Sequence, residues 1–235
     1  MTTQTDNWDN IFVGRQPLVD QLLGSRKDGF IFGARRVGKT SLLRQLEKRF
    51  SDVDTPAFYI SFQGLTNSEK IKRKLAIAFR RKKFAIDDPL HNIPSFFDFL
   101  EELDIALTTP IVLLIDEAEE IQKLEENKPG FMDKFRNLVE SLEKIRFILA
   151  ASPHFIRIAA GTDCSCSSFL SAFDTHILPV MTREETCELI RRFVDAITDG
   201  EMEQILSFTH YQPYLVRIFI SKLLRNGRLR SPSKE

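Results

Sequence analysis

The sequence predicts an α/β fold in which a parallel sheet lies between layers of helices and a small helical unit follows. Three observations predict it. Gly29-Phe30-Ile31-Phe32 is a short apolar run, and after a glycine-bounded turn Leu42, Leu43, Leu46 and Phe50 recur at helical spacing. Pro110-Ile111-Val112-Leu113-Leu114-Ile115 is apolar throughout, as a strand buried on both faces of a parallel sheet must be. Beyond about residue 180 the strand pattern stops and only helical periodicities follow.

Composition fits a soluble globular chain. Of 235 residues, 43% are hydrophobic and 28% charged, enough for one large domain or two small ones, and 20 phenylalanines promise a generous core. Lys+Arg and Asp+Glu both number 33, so no whole-molecule field favours nucleic acid. The three cysteines, Cys164, Cys166 and Cys187, are an odd set, and Met1–Asn10 lacks a cationic, apolar leader pattern. Reduced thiols and a cytoplasmic location are expected. Cys164-Ser165-Cys166 has the look of half a metal site, but neither a second pair nor a nearby histidine completes it. No apolar run is long enough to span a bilayer, so no membrane partner is expected.

The turn after the first strand carries the chemistry. Gly33-Ala34-Arg35-Arg36-Val37-Gly38-Lys39-Thr40-Ser41 fits the phosphate-loop pattern G-x-x-x-x-G-K-S/T at every fixed position. Gly33 and Gly38 let the backbone turn so that successive N–H groups face phosphate oxygens. Lys39 brings a positive charge to the β- and γ-phosphates, and the Thr40 hydroxyl suits Mg²⁺. The helix that starts here adds the positive end of its dipole. A nucleotide site is expected.

The remaining elements follow in order. Residues 1–10 are a polar lead-in, and Ile11-Phe12-Val13-Gly14-Arg15 is a short apolar run closed by Gly-Arg. Leu18, Val19, Leu22 and Leu23 form a helix with Pro17 in its first turn, either a plain packing helix or one near the base or ribose. Residues 56–62 form a buried strand. Thr66-x-x-Glu69 is a capping box for a helix whose inner face carries Ile71, Leu75, Ala78 and Phe79. Its other face carries Lys70, Lys72, Arg73, Lys74, Arg80, Arg81, Lys82 and Lys83, a solvated face or a site for an acidic partner. Ser95-x-x-Asp98 caps the next helix. The acid strand ends in Asp116, suited to the Mg²⁺ shell, and Glu117, suited to orient or deprotonate a water, at the carboxyl edge where such sheets bind ligands. Glu119, Glu120, Glu125 and Glu126 read as surface.

Phe131, Phe135, Leu138, Val139 and Leu142 mark a further helix, and 145–151 a further strand. Ser152 at its end either reaches the γ-phosphate and attacking water or simply caps the strand. Residues 161–168 are expected to be a mobile loop, and His176–Val180 a fifth strand. Thr182-x-x-Glu185 opens a helix with Leu189, Ile190, Phe193, Val194 and Ile197, which Asp199-Gly200 breaks. A short helix through Ile205 and Phe208 precedes one that starts at Pro213 and stops at Asn226-Gly227. The predicted division is a nucleotide-binding core over 1–180, a helical lid over 181–227 and a disordered tail over 228–235.

With these stretches in order, the chain resembles the STAND branch of the AAA+-related P-loop ATPases. The resemblance is carried by FVGR at 12–15, GARRVGKTSL at 33–42, IVLLIDE at 111–117, FRNLVESLEKIRFILAAS at 135–152 and HYQPYL at 210–215. It implies a five-strand parallel core in the order 5-1-4-3-2, with an extra strand between the loop strand and the acid strand, the place taken by 56–62. It also implies Glu117 as catalytic acid, Ser152 as a sensor and Pro213 as the lid proline near the base. Two departures stand out. Tyr211 occupies the position two before that proline where the family usually has glycine, and no winged-helix, repeat or effector domain accompanies the module.

The expected activity is that of a Mg²⁺-dependent ATPase switch, slow without a partner, that signals through lid or oligomer changes. Protein partners or self-association are expected. Arg35, Arg36, Arg136 and Arg157 are candidates for a transition-state charge. The alternatives are a nucleic-acid-binding loader like the origin-recognition ATPases, motivated by the basic helix and by Arg217, Lys222, Arg225, Arg228 and Arg230, and a nucleotide-binding scaffold with little turnover.

Overall fold

The computed structural model describes residues 11–65, 67–84, 93, 95–159, 169–194 and 196–226. Its centre is a five-stranded, all-parallel sheet: β1 (Gly29–Gly33), β2 (Ala57–Ser61), β3 (Ile111–Asp116), β4 (Ile145–Ala151) and β5 (Asp174–Leu178). The order across the sheet is β2-β3-β4-β1-β5, which is the predicted 5-1-4-3-2 read from the other edge. Strand β2 lies between the loop strand and the acid strand along the chain. In the sheet it is the edge next to β3, and β4 fills the place between β3 and β1.

Strand alternation sends neighbouring side chains to opposite faces, and each face has its own helices. Ile31, Val112, Leu114, Ile148 and Ala150 pack under α1 (Gln16–Gly24) and α2 (Lys39–Asp52). Phe30, Phe32, Phe58, Leu113, Phe147 and Leu149 face the other way. They meet α3 (Ser68–Arg81), α4 (Phe96–Ala106), α5 (Ile121–Asn127), α6 (Phe131–Ser141) and α7 (Phe155–Ala159). Much of this second layer is ring on ring: Phe30 stacks on Phe32 at 4.6 Å, and Phe135 meets Phe147 edge-on at 5.4 Å. Such pairs add about 1 kcal/mol each beyond the area they bury.

A third cluster is separate. Helices α8 (Arg183–Arg191), α9 (Asp199–Thr209) and α10 (Pro213–Arg225) pack around Ile190, Ile205, Leu206, Val216 and Ile220, joined by Val13 from the N-terminal segment. Thr182 caps α8 in a full capping box with Glu185, as its spacing predicts. A second box, Thr198 with Glu201, starts α9. Asp199-Gly200 is therefore the first turn of α9 and not a break, and α8 has already ended at Arg191.

Other boundaries shift for local reasons. Strand β5 runs over 174–178, because Asp174 N–H donates to Asp28 O at 2.9 Å and starts the ladder there, and Pro179 has no N–H to continue it. Helix α3 is capped by Asn67, whose side chain accepts from Lys70 N–H; Thr66 lies outside the described residues. So do 1–10, the loop 161–168 with Cys164 and Cys166, and 227–235. The acidic segment after β3 forms a 3-10 turn at Ala118–Glu120 and then α5. Glu125, expected at the surface, is half-buried and accepts from Gly130 N–H and Met132 N–H, both at 2.8 Å, to fix the start of α6.

One carboxylate ties α4 to the sheet. Asp104 is 8% exposed and accepts from the N–H groups of Glu143 (3.2 Å), Lys144 (2.7 Å) and Ile145 (3.0 Å), which aims the chain into β4. Its removal leaves three donors at the mouth of the strand without partners. Asp104→Ala is expected to cost about 3 kcal/mol. For a chain of this size that is roughly 6–12 °C in Tm, read by thermal unfolding.

Candidate functional site

The carboxyl ends of β1, β3 and β4 open on one edge of the sheet, and the three-helix cluster faces them. Between lies a cavity of about 490 Å³. From the loop it is lined by Arg35, Arg36, Gly38, Lys39, Thr40 and Ser41, and from the strand ends by Glu117 and Ser152. Glu119 and Glu120 border it from the 3-10 turn, and Pro213, Tyr214 and Arg217 from α10.

The two loop glycines serve different ends. Gly38 turns the chain into α2 at φ +105, a conformation that side chains disfavour. Gly33 lies in β1, where a Cβ would come 2.8 Å from Val37 Cγ1 and 3.1 Å from Leu178 Cβ, so its role is close packing. Val37 is buried and anchors the loop, and exposed Ala34 completes the turn. Lys39 is 9% exposed, and its Nζ donates to Gly33 O at 2.7 Å and Ala34 O at 3.2 Å, which holds the ammonium across the loop.

Asp116 is 2% exposed at the end of β3. Its Oδ2 accepts from the Thr40 hydroxyl at 2.6 Å and the Tyr59 phenol at 2.9 Å, and its Oδ1 from Glu117 N–H at 3.0 Å. Burial and the adjoining Asp116 carboxylate push the Tyr59 phenol well above its ordinary range, so it stays a donor. Glu117 stands in the left-handed region at φ +55, which turns its side chain out of the strand line and into the cavity. Burial raises its pKa, as do the carboxylates of Glu119 and Asp116, against the pull of Lys39. Glu119 and Glu120 thus border the site instead of the open surface.

The structure gathers Arg35, Arg36, Gly38, Lys39, Thr40, Ser41, Glu117, Ser152 and Pro213 around one cavity, with Asp116 directly behind Thr40. Arg136 is not among the lining groups; it donates to Asn137 Oδ1 at 2.9 Å. The Arg157 side chain lies outside the described atoms. Sequence reasoning missed Tyr59, Tyr214 and Arg217 as site residues. For Tyr59 the available signal was a single hydroxyl-bearing ring in the strand AFYIS, two residues out of register with the acid.

The three-helix cluster is joined to the loop at few points. Arg36, at φ +67, lays its guanidinium over the Tyr214 ring at 4.3 Å, and a Cβ on Gly38 would come 3.8 Å from Pro213 Cγ. Tyr211, where the family resemblance leads one to expect glycine, adopts φ +59, so the backbone keeps a glycine-like turn. The Gly14-Arg15 pair forms a brace. Glu185 of α8 accepts from Arg15 N–H at 2.6 Å and from Thr182 N–H at 2.9 Å, while the Arg15 guanidinium donates to Val37 O at 2.9 Å. Burial lowers the Arg15 pKa, against the pull of Glu185.

Residues 24–158 match the protein family described as AAA domain, which is more than half of the chain. No curated protein matches the sequence. Among solved structures, a Walker-type ATPase of Pyrococcus abyssi superposes with a TM-score of 0.73 at 18% identity, over 92% of this chain and 69% of that one. The ORC1 protein of Aeropyrum pernix, in complex with DNA, gives 0.60 at 13% identity, over 92% of this chain and 62% of that one. A signal transduction ATPase with numerous domains (STAND) from Pyrococcus horikoshii, with a tetratricopeptide repeat sensor, gives 0.58 at 14% identity, over 96% of this chain and 31% of that one. At these identities the likeness is one of fold.

Removal of the Glu185 carboxylate is expected to release the brace. Glu185→Ala should cost about 2 kcal/mol, the scale of charge-assisted hydrogen bonds partly open to water. Amide hydrogen exchange should speed up in residues 11–15 and in the first turn of α8, and stay unchanged in β3 and β4.

Proposed function

The chain belongs to the AAA domain family, and from that premise we propose that it binds ATP with Mg²⁺ and hydrolyses it slowly as a regulatory switch. The observation that carries this reading is the shared cavity. Phosphate-loop groups, the strand-end residues Glu117 and Ser152, and the α10 residues Pro213, Tyr214 and Arg217 all face the same space. A ligand bound there touches the core and the three-helix lid together.

The residues fit a magnesium ion. Thr40 and Asp116 are oxygen donors already in contact at 2.6 Å, and among the described residues no cationic side chain forms an ion pair with the buried Asp116. Bound there with the nucleotide, Mg²⁺ would neutralise phosphate charge. The chain's own groups do the rest. Backbone N–H groups of 34–41 and the Lys39 ammonium hold the β- and γ-phosphates, and Lys39 exchanges its two carbonyl partners for phosphate oxygens. Glu117 orients the attacking water and takes its proton, and Ser152 contacts the γ-phosphate from the end of β4. Arg35, Arg36 and Arg217 are the positive groups placed to stabilise charge as the phosphate departs.

Switching follows from the lid contacts. Loss of the γ-phosphate removes one of the charges that draw α10 toward the loop, and the lid position shifts with the bound nucleotide. A protein partner or a second copy would read that difference.

A second reading, nucleic-acid binding, has one observation in its favour. Lys70, Arg73, Arg80, Arg81 and Lys83 of α3 and its C-terminal turn are exposed. Lys72, Lys74 and Lys82 are instead spent on internal carbonyls, namely Ile93 O, Ser61 O with Gln63 O, and Ala57 O. A mobility shift that fades steeply with salt would support this reading.

Two variants test the first reading. Lys39→Ala should abolish ATP binding in an equilibrium assay. Glu117→Gln should bind ATP like the wild type and lose about 10²- to 10⁴-fold in turnover, the range for removal of a general base. Unimpaired ATP binding by Lys39→Ala would sink the assignment of the site.

A further inference from the structure

We propose that Tyr59 is a positioning residue for magnesium binding: its phenol fixes the Asp116 carboxylate in the orientation that Thr40 and the ion require. The inference deepens the reading above and rests on it. The argument begins with register. Strands β2 and β3 pair with Tyr59 opposite Leu114 and Ser61 opposite Asp116. Tyr59 and Asp116 therefore lie on the same face of the sheet, two residues apart along neighbouring strands. Diagonal neighbours of this kind have their Cβ atoms about 7–8 Å apart, a gap that only a long side chain crosses. The phenol crosses it and donates to Asp116 Oδ2 at 2.9 Å.

Ser61 is directly opposite the acid and also carries a hydroxyl, yet it does not serve. Its Oγ is engaged by Gln63 N–H at 3.2 Å, in a local turn at the end of β2. The long reach from Tyr59 thus replaces the short one from Ser61.

The ring itself is fixed. The Arg44 guanidinium of α2 lies over it at 3.5 Å, Glu47 accepts from Tyr59 N–H at 3.1 Å, and Glu47 is paired with Arg44 and Lys82, each at 3.2 Å. A tyrosine held by two residues of α2 and donating to a buried carboxylate limits how that carboxylate can rotate. The Oδ2 it holds is the atom that accepts from Thr40 at 2.6 Å. Without the phenol, Oδ2 keeps one donor, and the carboxylate can turn toward Glu117 N–H and away from the ion.

Tyr59→Phe removes the hydroxyl and keeps the ring, so thermal unfolding should stay close to wild type. The test is equilibrium binding of a fluorescent ATP analogue, first in excess EDTA and then at graded Mg²⁺. In EDTA the variant should match wild type within about twofold. The Mg²⁺ concentration that gives half of the metal-dependent gain should rise about 5- to 30-fold, the scale of one charge-assisted hydrogen bond. Tyr59→Leu, which also loses the ring, serves as a companion. If Tyr59→Phe titrates with Mg²⁺ like wild type, the proposal falls, whether or not Tyr59→Leu is impaired. If affinity falls equally with and without Mg²⁺, the phenol acts on the fold and not on the metal site, and the proposal falls again. A wild-type protein whose ATP binding ignores Mg²⁺ would overturn the functional reading itself, an outcome that neither variant can mimic.

Discussion

The buried carboxylate of Asp116 is the constraint around which the molecule is arranged. A negative charge that is 2% exposed is expensive unless every lone pair has a donor. The donors come from three separate elements: Thr40 at the start of α2, Tyr59 on β2 and the N–H of Glu117 beyond β3. The first ties the phosphate loop to the acid strand across β4, which lies between β1 and β3. The second ties in the edge strand. The strand order therefore matters chemically: β1 and β3 flank β4, and their carboxyl ends bring Lys39, Glu117 and Ser152 around one cavity.

Backbone strain is concentrated at the same place. Seven described residues other than glycine have positive φ. Asp54 and Lys83 follow the ends of α2 and α3, where helices commonly leave through the left-handed region. The other five surround the cavity or the lid joint: Arg15, Arg36, Glu117, His210 and Tyr211. Each costs about 1–2 kcal/mol. Three of them aim a group at the cavity or the joint beside it, and two shape a turn. Arg15 presents its N–H to Glu185 and its guanidinium to the loop, Arg36 reaches Tyr214, and Glu117 enters the cavity. His210 and Tyr211 turn α9 into α10, with Tyr211 O accepting from Met181 N–H at 3.1 Å. Stability given up at these positions is offset by the phenylalanine-rich layer beneath the sheet.

The core of the fold was legible because its signals are local. The phosphate loop has fixed spacing, β3 is a continuous apolar run up to Asp116 and β4 one from Phe147 to Ala151, and Thr182–Glu185 is a capping box that the structure closes as written. What was not legible depends on pairing between distant segments. Glu119 and Glu120 looked like surface acids because nothing in their spacing reveals that a 3-10 turn folds them back to the cavity rim. Three of the eight basic residues of the α3 face looked free because lysine gives no sign that it will reach distant carbonyls, at Ile93 and at the two ends of β2. Tyr59 was invisible for the same reason: its partner is 57 residues away and on the diagonal of the register. The start of β5 was misplaced because it is set by Asp28, the residue before β1, far back in the chain.

The three-helix cluster proposed as the lid is held differently from the core, and that difference bears on the proposed switch. Helices α8–α10 bury their apolar side chains mostly among themselves, with Val13 as a guest, so the lid has a core of its own. Its links to the loop are point contacts: the Arg36 guanidinium on the Tyr214 ring, and the Glu185 carboxylate on the N–H of Arg15, whose guanidinium donates to Val37 O of the loop. Each is worth about 1–3 kcal/mol and is reversible without unfolding either body. A phosphate bound at the loop, as proposed, would act with energies of the same order on Arg36 and Arg217. A joint built from large apolar surfaces would not respond to so small an input. One built from a few polar contacts beside a charged ligand suits the switch proposed above, in which the loss of a single phosphate shifts its position.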